Sequence, residues 1–110
     1  RVWYHGDFLA TAAELAGVDC PADLDSESLA PELKGAVVTD RWKRKARMYW
    51  EFHERETGQA VRFGKWKAIR SPMFIGEIML YDMSNDPSEK SNYAIRRPDL
   101  RNHAENLLNK

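Results

Sequence analysis

At 110 residues, 43% hydrophobic and 31% charged, the sequence has the size and balance of one small folded domain rather than of a disordered segment. Lys and Arg number 17 and so do Asp and Glu, so the positive excess of a dedicated nucleic-acid module is missing. Cys20 alone can form neither an internal disulfide nor a metal site, no apolar run approaches membrane-spanning length, and no signal-peptide pattern opens the chain.

The chain begins at Arg1 in what reads as the middle of a structural unit. The spacing then predicts a helix over 7–17. Phe8, Ala12 and Leu15 share one helical face, and Leu9, Ala13 and Ala16 another, so little polar surface is left and the helix expects cover on most sides. Asp7 is one candidate N-cap, and Thr11 with Glu14 offers a capping box as the alternative. Gly17 suits the left-handed residue that closes a helix.

Residues 18–47 read as irregular, punctuated by Pro21, Pro31 and Gly35. They end in Arg41-Trp42-Lys43-Arg44-Lys45-Ala46-Arg47, a basic run expected to be a solvated loop, with polyanion binding as the functional alternative.

Residues 48–82 read as antiparallel sheet. Met48, Trp50 and Phe52 alternate onto one face. Residues 59–63 and 66–70 bracket Gly64-Lys65, which fits a type II′ hairpin turn. That turn sets a register: Phe63 opposite Trp66, Val61 opposite Ala68, and Arg62 opposite Lys67. Two like charges across a strand pair require compensation, from a carboxylate such as Glu51 or Glu77, from an anion or from solvent. Residues 77–82 form a further strand. Asn85-Asp86-Pro87-Ser88 is turn chemistry. Pro98 opens a last helix with Asp99 near its positive end, and Leu100, Ala104, Leu107 and Leu108 form the stripe that packs on the sheet.

A complete reactive constellation is not legible. His5, His53 and His103 lack the close helical spacing of a two-histidine metal site, and neither a nucleophile elbow nor a phosphate loop occurs. Cys20 lies beside Asp19, whose charge disfavours a thiolate. His103, one turn from Leu100, reads as a boundary residue. His53 stands at a strand end among charges, where functional side chains tend to project.

Several segments, in order, resemble the C-terminal third of the sulfatase family. His5-Gly6-Asp7-Phe8-Leu9-Ala10-Thr11 running into Glu14-Leu15-Ala16-Gly17-Val18 looks like its His-x-Asp-x-x-Pro-Thr…Leu-Ala-Gly-Val element. Asp25-Ser26-Glu27-Ser28-Leu29 with Pro31, Leu33 and Gly35 looks like its Asp-Gly-x-Ser-Leu…Pro-x-Leu-x-Gly stretch. Tyr49-Trp50-Glu51-Phe52 and Ala60-Val61-Arg62-Phe63-Gly64-Lys65-Trp66-Lys67 are similar to its strand and hairpin. Leu80-Tyr81-Asp82-Met83, Asp86-Pro87, Glu89, Asn92, Ala94 and Pro98-Asp99-Leu100 resemble its ending. Ala10, Ser26 and Tyr93 depart from the pattern, which has proline, glycine and leucine there.

The resemblance implies an α+β fold. About four antiparallel strands pack against a C-terminal helix over 36–110, and residues 1–35 are the tail of a preceding α/β catalytic domain. It implies a parent enzyme that hydrolyses sulfate esters with a formylglycine nucleophile and a calcium ion, both carried upstream, because Cys20-Pro21-Ala22-Asp23 is not the Cys/Ser-x-Pro-Ser-Arg motif. The implied partners are the chain's own catalytic domain and a sulfated small molecule or glycan. No membrane is implied, nucleic acid is disfavoured, and the family's usual locations are secreted, periplasmic or lysosomal. The chain alone is expected to be inactive. His53, Arg62 and Lys67 are the candidate substrate-binding residues, with no catalytic or metal-binding residue assigned. The competing expectations are a stand-alone polyanion- or nucleic-acid-binding domain using the basic run with Trp42, and an oligomerising module using the first helix. Residues 1–35 are expected either to be less ordered in isolation or to bury their apolar faces against a neighbouring copy.

Overall fold

The computed structural model describes residues 1–44 and 47–109. It divides into two compact units, Arg1–Ala46 and Arg47–Lys110. Within the first unit, residues 36–44 return to the chain start. Val2 N–H donates to the Arg41 carbonyl at 2.7 Å, and Arg44 pairs with Asp7 at 2.6 Å.

In the first unit a 3-10 turn, His5–Asp7, leads into α1, Phe8–Ala16. Gly17 ends α1 at φ 70°, and the Val18 and Gly17 N–H groups return to Ala13 and Glu14, so the predicted left-handed terminus is present. Neither predicted N-terminal cap forms. Asp7 stands at the N-cap position, but its side chain makes no cap bond because Arg44 and two backbone N–H groups engage it. Thr11 lies inside α1, donating to the Asp7 carbonyl at 2.7 Å and accepting from Leu29 N–H at 3.0 Å. The stretch expected to be irregular contains a short helix, α2, Ala30–Leu33. Pro31 sits in its first turn, where a missing N–H costs no helical bond. Phe8, Leu9 and Leu15 remain at least half exposed, so the cover that α1's composition calls for is not supplied within this unit.

The second unit is a meander of four antiparallel strands in the order β1-β2-β3-β4. They are β1 Met48–Phe52, β2 Gly58–Phe63, β3 Trp66–Arg70 and β4 Ile78–Asp82. The β2–β3 register is the predicted one: Phe63 opposite Trp66, Val61 opposite Ala68, Arg62 opposite Lys67. Gly64 has φ 55° while Lys65 does not have positive φ, the combination of a type II′ turn. Helix α3, Pro98–Leu108, lays Ala104 and Leu108 on Val61, Ala68, Ile78 and Leu80, with Leu100 and Leu107 at the margin. Leu80 and Val61 are fully buried, each contributing about 1.5–3 kcal/mol by removal from water.

Candidate functional site

The register decides which side chains can act together. Tyr49 pairs with Val61 and Glu51 with Gln59, so Tyr49, Glu51 and the following His53 line the sheet face that carries α3. Met48 pairs with Arg62, and Arg62 with Lys67, so those two cations lie on the opposite face. The three sequence candidates therefore do not converge on one cleft.

On the α3 face a hydrogen-bonded series runs from surface to core. His53 Nε2 lies 3.1 Å from Glu51 Oε2, and Tyr49 Oη donates to Glu51 Oε1 at 2.5 Å. Gln59 Nε2 donates to Tyr49 Oη at 2.7 Å and to the Leu108 carbonyl at 3.0 Å. Arg70 donates to Gln59 Oε1 from Nε at 3.0 Å and from a terminal nitrogen at 2.7 Å, and also reaches the Asn109 side chain at 2.9 Å. Gln59 and Arg70 are both buried. The Arg70 cation thus sits at the negative end of α3, where the helix dipole favours it. The Tyr49 hydrogen bond, opposed by burial and assisted by the His53 contact, holds the Glu51 carboxyl below its ordinary range. Burial, aided by Glu51, pushes the Tyr49 phenol up.

On the other face, Lys67 Nζ meets Glu89 Oε1 at 2.5 Å. Glu89 is therefore a carboxylate that offsets the Arg62–Lys67 juxtaposition. Glu51 points to the α3 face, and Glu77 precedes β4. Glu89 adopts φ 55°, with its N–H on the Asp86 carbonyl at 3.1 Å. Burial pushes the half-buried Arg62 guanidinium down, and the Glu89 charge opposes that shift.

Elsewhere, Asp7 is fully buried and accepts two hydrogen bonds from Arg44 at 2.6 and 2.9 Å, with backbone bonds from Tyr4 and Glu27. Burial alone would raise its carboxyl; these four bonds outweigh it and hold the group below the ordinary range. Arg44 is correspondingly withdrawn from the expected solvated run and from the polyanion surface. Of that run, Lys45 and Ala46 lie outside the described residues. The Arg41 guanidinium lies over the Trp42 ring at 5.0 Å. His5 packs edge-on against Tyr4, and His103, exposed on α3, edge-on against Phe63. Cys20 is a half-buried free thiol.

Sequence reasoning missed Tyr49, Gln59, Arg70 and Glu89 as functional neighbours. The first two carried a signal: period-two alternation puts residues 49, 51 and 53 on one strand face, and pairing puts Gln59 beside them.

Among the described residues, no group of three or more His, Cys, Asp and Glu is placed to hold a metal ion, and no helix is long and apolar enough to cross a membrane. Cys20 is followed by Pro21-Ala22-Asp23. The described residues thus fit neither a formylglycine site nor a calcium site.

A four-stranded meander under one C-terminal helix, preceded by a short helical unit, is the architecture of a sulfatase C-terminal region. Residues 3–110 match the family described as N-sulphoglucosamine sulphohydrolase, C-terminal, and the chain belongs to that family. It is 34% identical over 105 residues to the N-acetylglucosamine-6-O-sulfatase of Bacteroides thetaiotaomicron, a match that takes in 86% of this chain and 19% of that protein. A solved 2-O GAG sulfatase superposes with a TM-score of 0.73 at 30% identity, over 94% of this chain and 23% of its own. Another solved structure, of a protein in complex with its substrate D-glucosamine-2-N, 6-O-disulfate, gives 0.69 at 28% identity, over 94% of this chain and 22% of its own. The chain therefore spans less than a quarter of the length of these relatives.

Proposed function

We propose that this chain is the C-terminal part of a sulfatase whose longer form hydrolyses the sulfate ester of a sulfated glucosamine or related glycan unit. The family match across residues 3–110, in relatives whose remaining length lies outside the match, carries the reading. The formylglycine and calcium that cleave the ester belong to the preceding catalytic domain. This chain contributes packing for that domain and a surface toward the organic part of the substrate.

Residues 1–35 act as the tail of the catalytic domain. The exposure of Trp3, Phe8, Leu9 and Leu15 supports this, because a catalytic domain would cover them. The C-terminal subdomain then occupies residues 36–110, its first segment, 36–44, returning to that tail. Within it, His53 is the candidate contact to substrate, since it projects past the end of β1 with 68% of its side chain exposed. The Lys67–Glu89 pair favours a supporting role for Lys67 and Arg62, which shape that sheet face.

Sulfate release from 6-O-sulfated glucosamine tests the reading. The 110-residue chain alone should release none, and the longer protein should release it catalytically. Turnover by the chain alone, or a longer protein inert toward sulfated glucosamines, overturns it.

A further inference from the structure

An exposed histidine at a strand end normally samples several rotamers. His53 is instead one end of a hydrogen-bond series anchored in the core. A carboxylate only accepts, so the 3.1 Å contact with Glu51 requires the hydrogen on Nε2. That leaves Nδ1 as the ring's other nitrogen. In the neutral imidazole that atom is an acceptor for a sugar hydroxyl.

Glu51 is itself held. Its other oxygen accepts from Tyr49, whose oxygen accepts from Gln59, whose carbonyl accepts twice from Arg70. The donors run in one direction from the Arg70 cation to the Glu51 anion, and His53 donates into the same anion from the other side. Both ends are charge-assisted, which strengthens such bonds. The anchor is the C-terminus of α3, through the Leu108 carbonyl and the Asn109 side chain. A contact as exposed as His53–Glu51 contributes little to stability, so its effect lies in orienting the ring.

Resting on the reading of His53 as a substrate contact, we propose that Glu51 is a positioning residue. It fixes the His53 ring with Nδ1 toward a substrate hydroxyl, and Tyr49, Gln59 and Arg70 tie that geometry to α3.

Two measurements test this. In the 110-residue chain, carbon relaxation of the His53 ring should show an ordered side chain, and Glu51→Gln should make it mobile without moving the thermal midpoint. In the longer enzyme on 6-O-sulfated glucosamine, His53→Ala and Glu51→Gln should each raise KM about fivefold, the effect of one lost hydrogen bond. Glu51→Gln should add nothing in the His53→Ala background. A ring as mobile in the parent chain as in Glu51→Gln overturns the positioning role. So does a Glu51→Gln effect that persists undiminished without His53. An unchanged KM in His53→Ala overturns the substrate-contact reading instead, and the relaxation result still decides whether Glu51 orders the ring.

Discussion

Replacing Gln59 by leucine keeps the side-chain volume and removes every polar function from the centre of the buried network. Gln59 Oε1 accepts from Arg70 twice and from Phe74 N–H at 3.3 Å, and its amide donates to Leu108 and Tyr49. Loss of a hydrogen bond to a charged group costs about 1.5–3 kcal/mol, and a buried donor left unpaired about 1–3 kcal/mol. Arg70 keeps the Leu108 carbonyl and the Asn109 side chain, which limits the damage. We expect a loss of about 3 kcal/mol, large beside the several kcal/mol available to a unit of this size. The assay is urea unfolding with amide exchange read in β2 and β3, which isolates the second unit. The double replacement Gln59→Leu with Arg70→Met removes donor and acceptor together and should recover most of that loss, leaving about 1 kcal/mol. A single-variant loss under about 1 kcal/mol, or a double variant worse than the single, would refute the reasoning.

Other outcomes follow from the same geometry. Leu80→Ala, at the fully buried centre of the sheet–helix contact, should lower stability by about 2–4 kcal/mol, whereas Ile95→Ala, almost wholly exposed, should change it by less than about 0.5 kcal/mol; urea midpoints compare the two. Glu89→Gln removes the carboxylate facing Lys67, and should lower stability by about 1 kcal/mol and increase sulfate binding on that face, read by chemical-shift titration. Asp82 is held well below the ordinary carboxylate range: burial pushes it up, but bonds from Lys65, Ser84 and Asn85 outweigh that. A depressed native pKa gives stability that is present above the unfolded value of about 3.9 and is lost as pH falls through the native value. Asp82→Asn should therefore be less stable at pH 7, and its stability should depend less on pH below about 4, as measured by thermal unfolding across pH.

The second unit was legible because its signals are local. Gly64-Lys65 sets a two-residue turn, and once the turn is placed the pairing of Val61 with Ala68 and Phe63 with Trp66 follows by counting. Pro98 and the stripe from Leu100 to Leu108 mark α3 equally directly. The first unit was less legible because its order is non-local. Pro31 breaks a helix interior but opens a helix as readily; here it opens α2, whose preceding residue Leu29 is anchored by its N–H bond to Thr11, 18 residues away. Arg44 looked like one charge in a solvated run. Its partner Asp7 lies 37 residues earlier, and no spacing rule reaches that far.

The candidate site divides along the same line. His53 could be picked out as a strand-end residue, and its tie to Glu51 follows from alternation alone. The expectation that Glu51 offsets Arg62 and Lys67 conflicts with that alternation: if Met48, Trp50 and Phe52 share a face, then residues 49, 51 and 53 share the other. Pairing Met48 with Arg62 puts both cations with the first set. Alternation together with the β1–β2 register thus excludes Glu51 as their partner. Glu89 could not be found that way, because it reaches Lys67 from a loop in which its own φ is 55°. A backbone in the left-handed region is an uncommon conformation for glutamate. Holding one there to meet a cation indicates that the Arg62–Lys67 face is built around an internal counter-charge. His53, with its partner supplied from its own strand, is the candidate left facing outward.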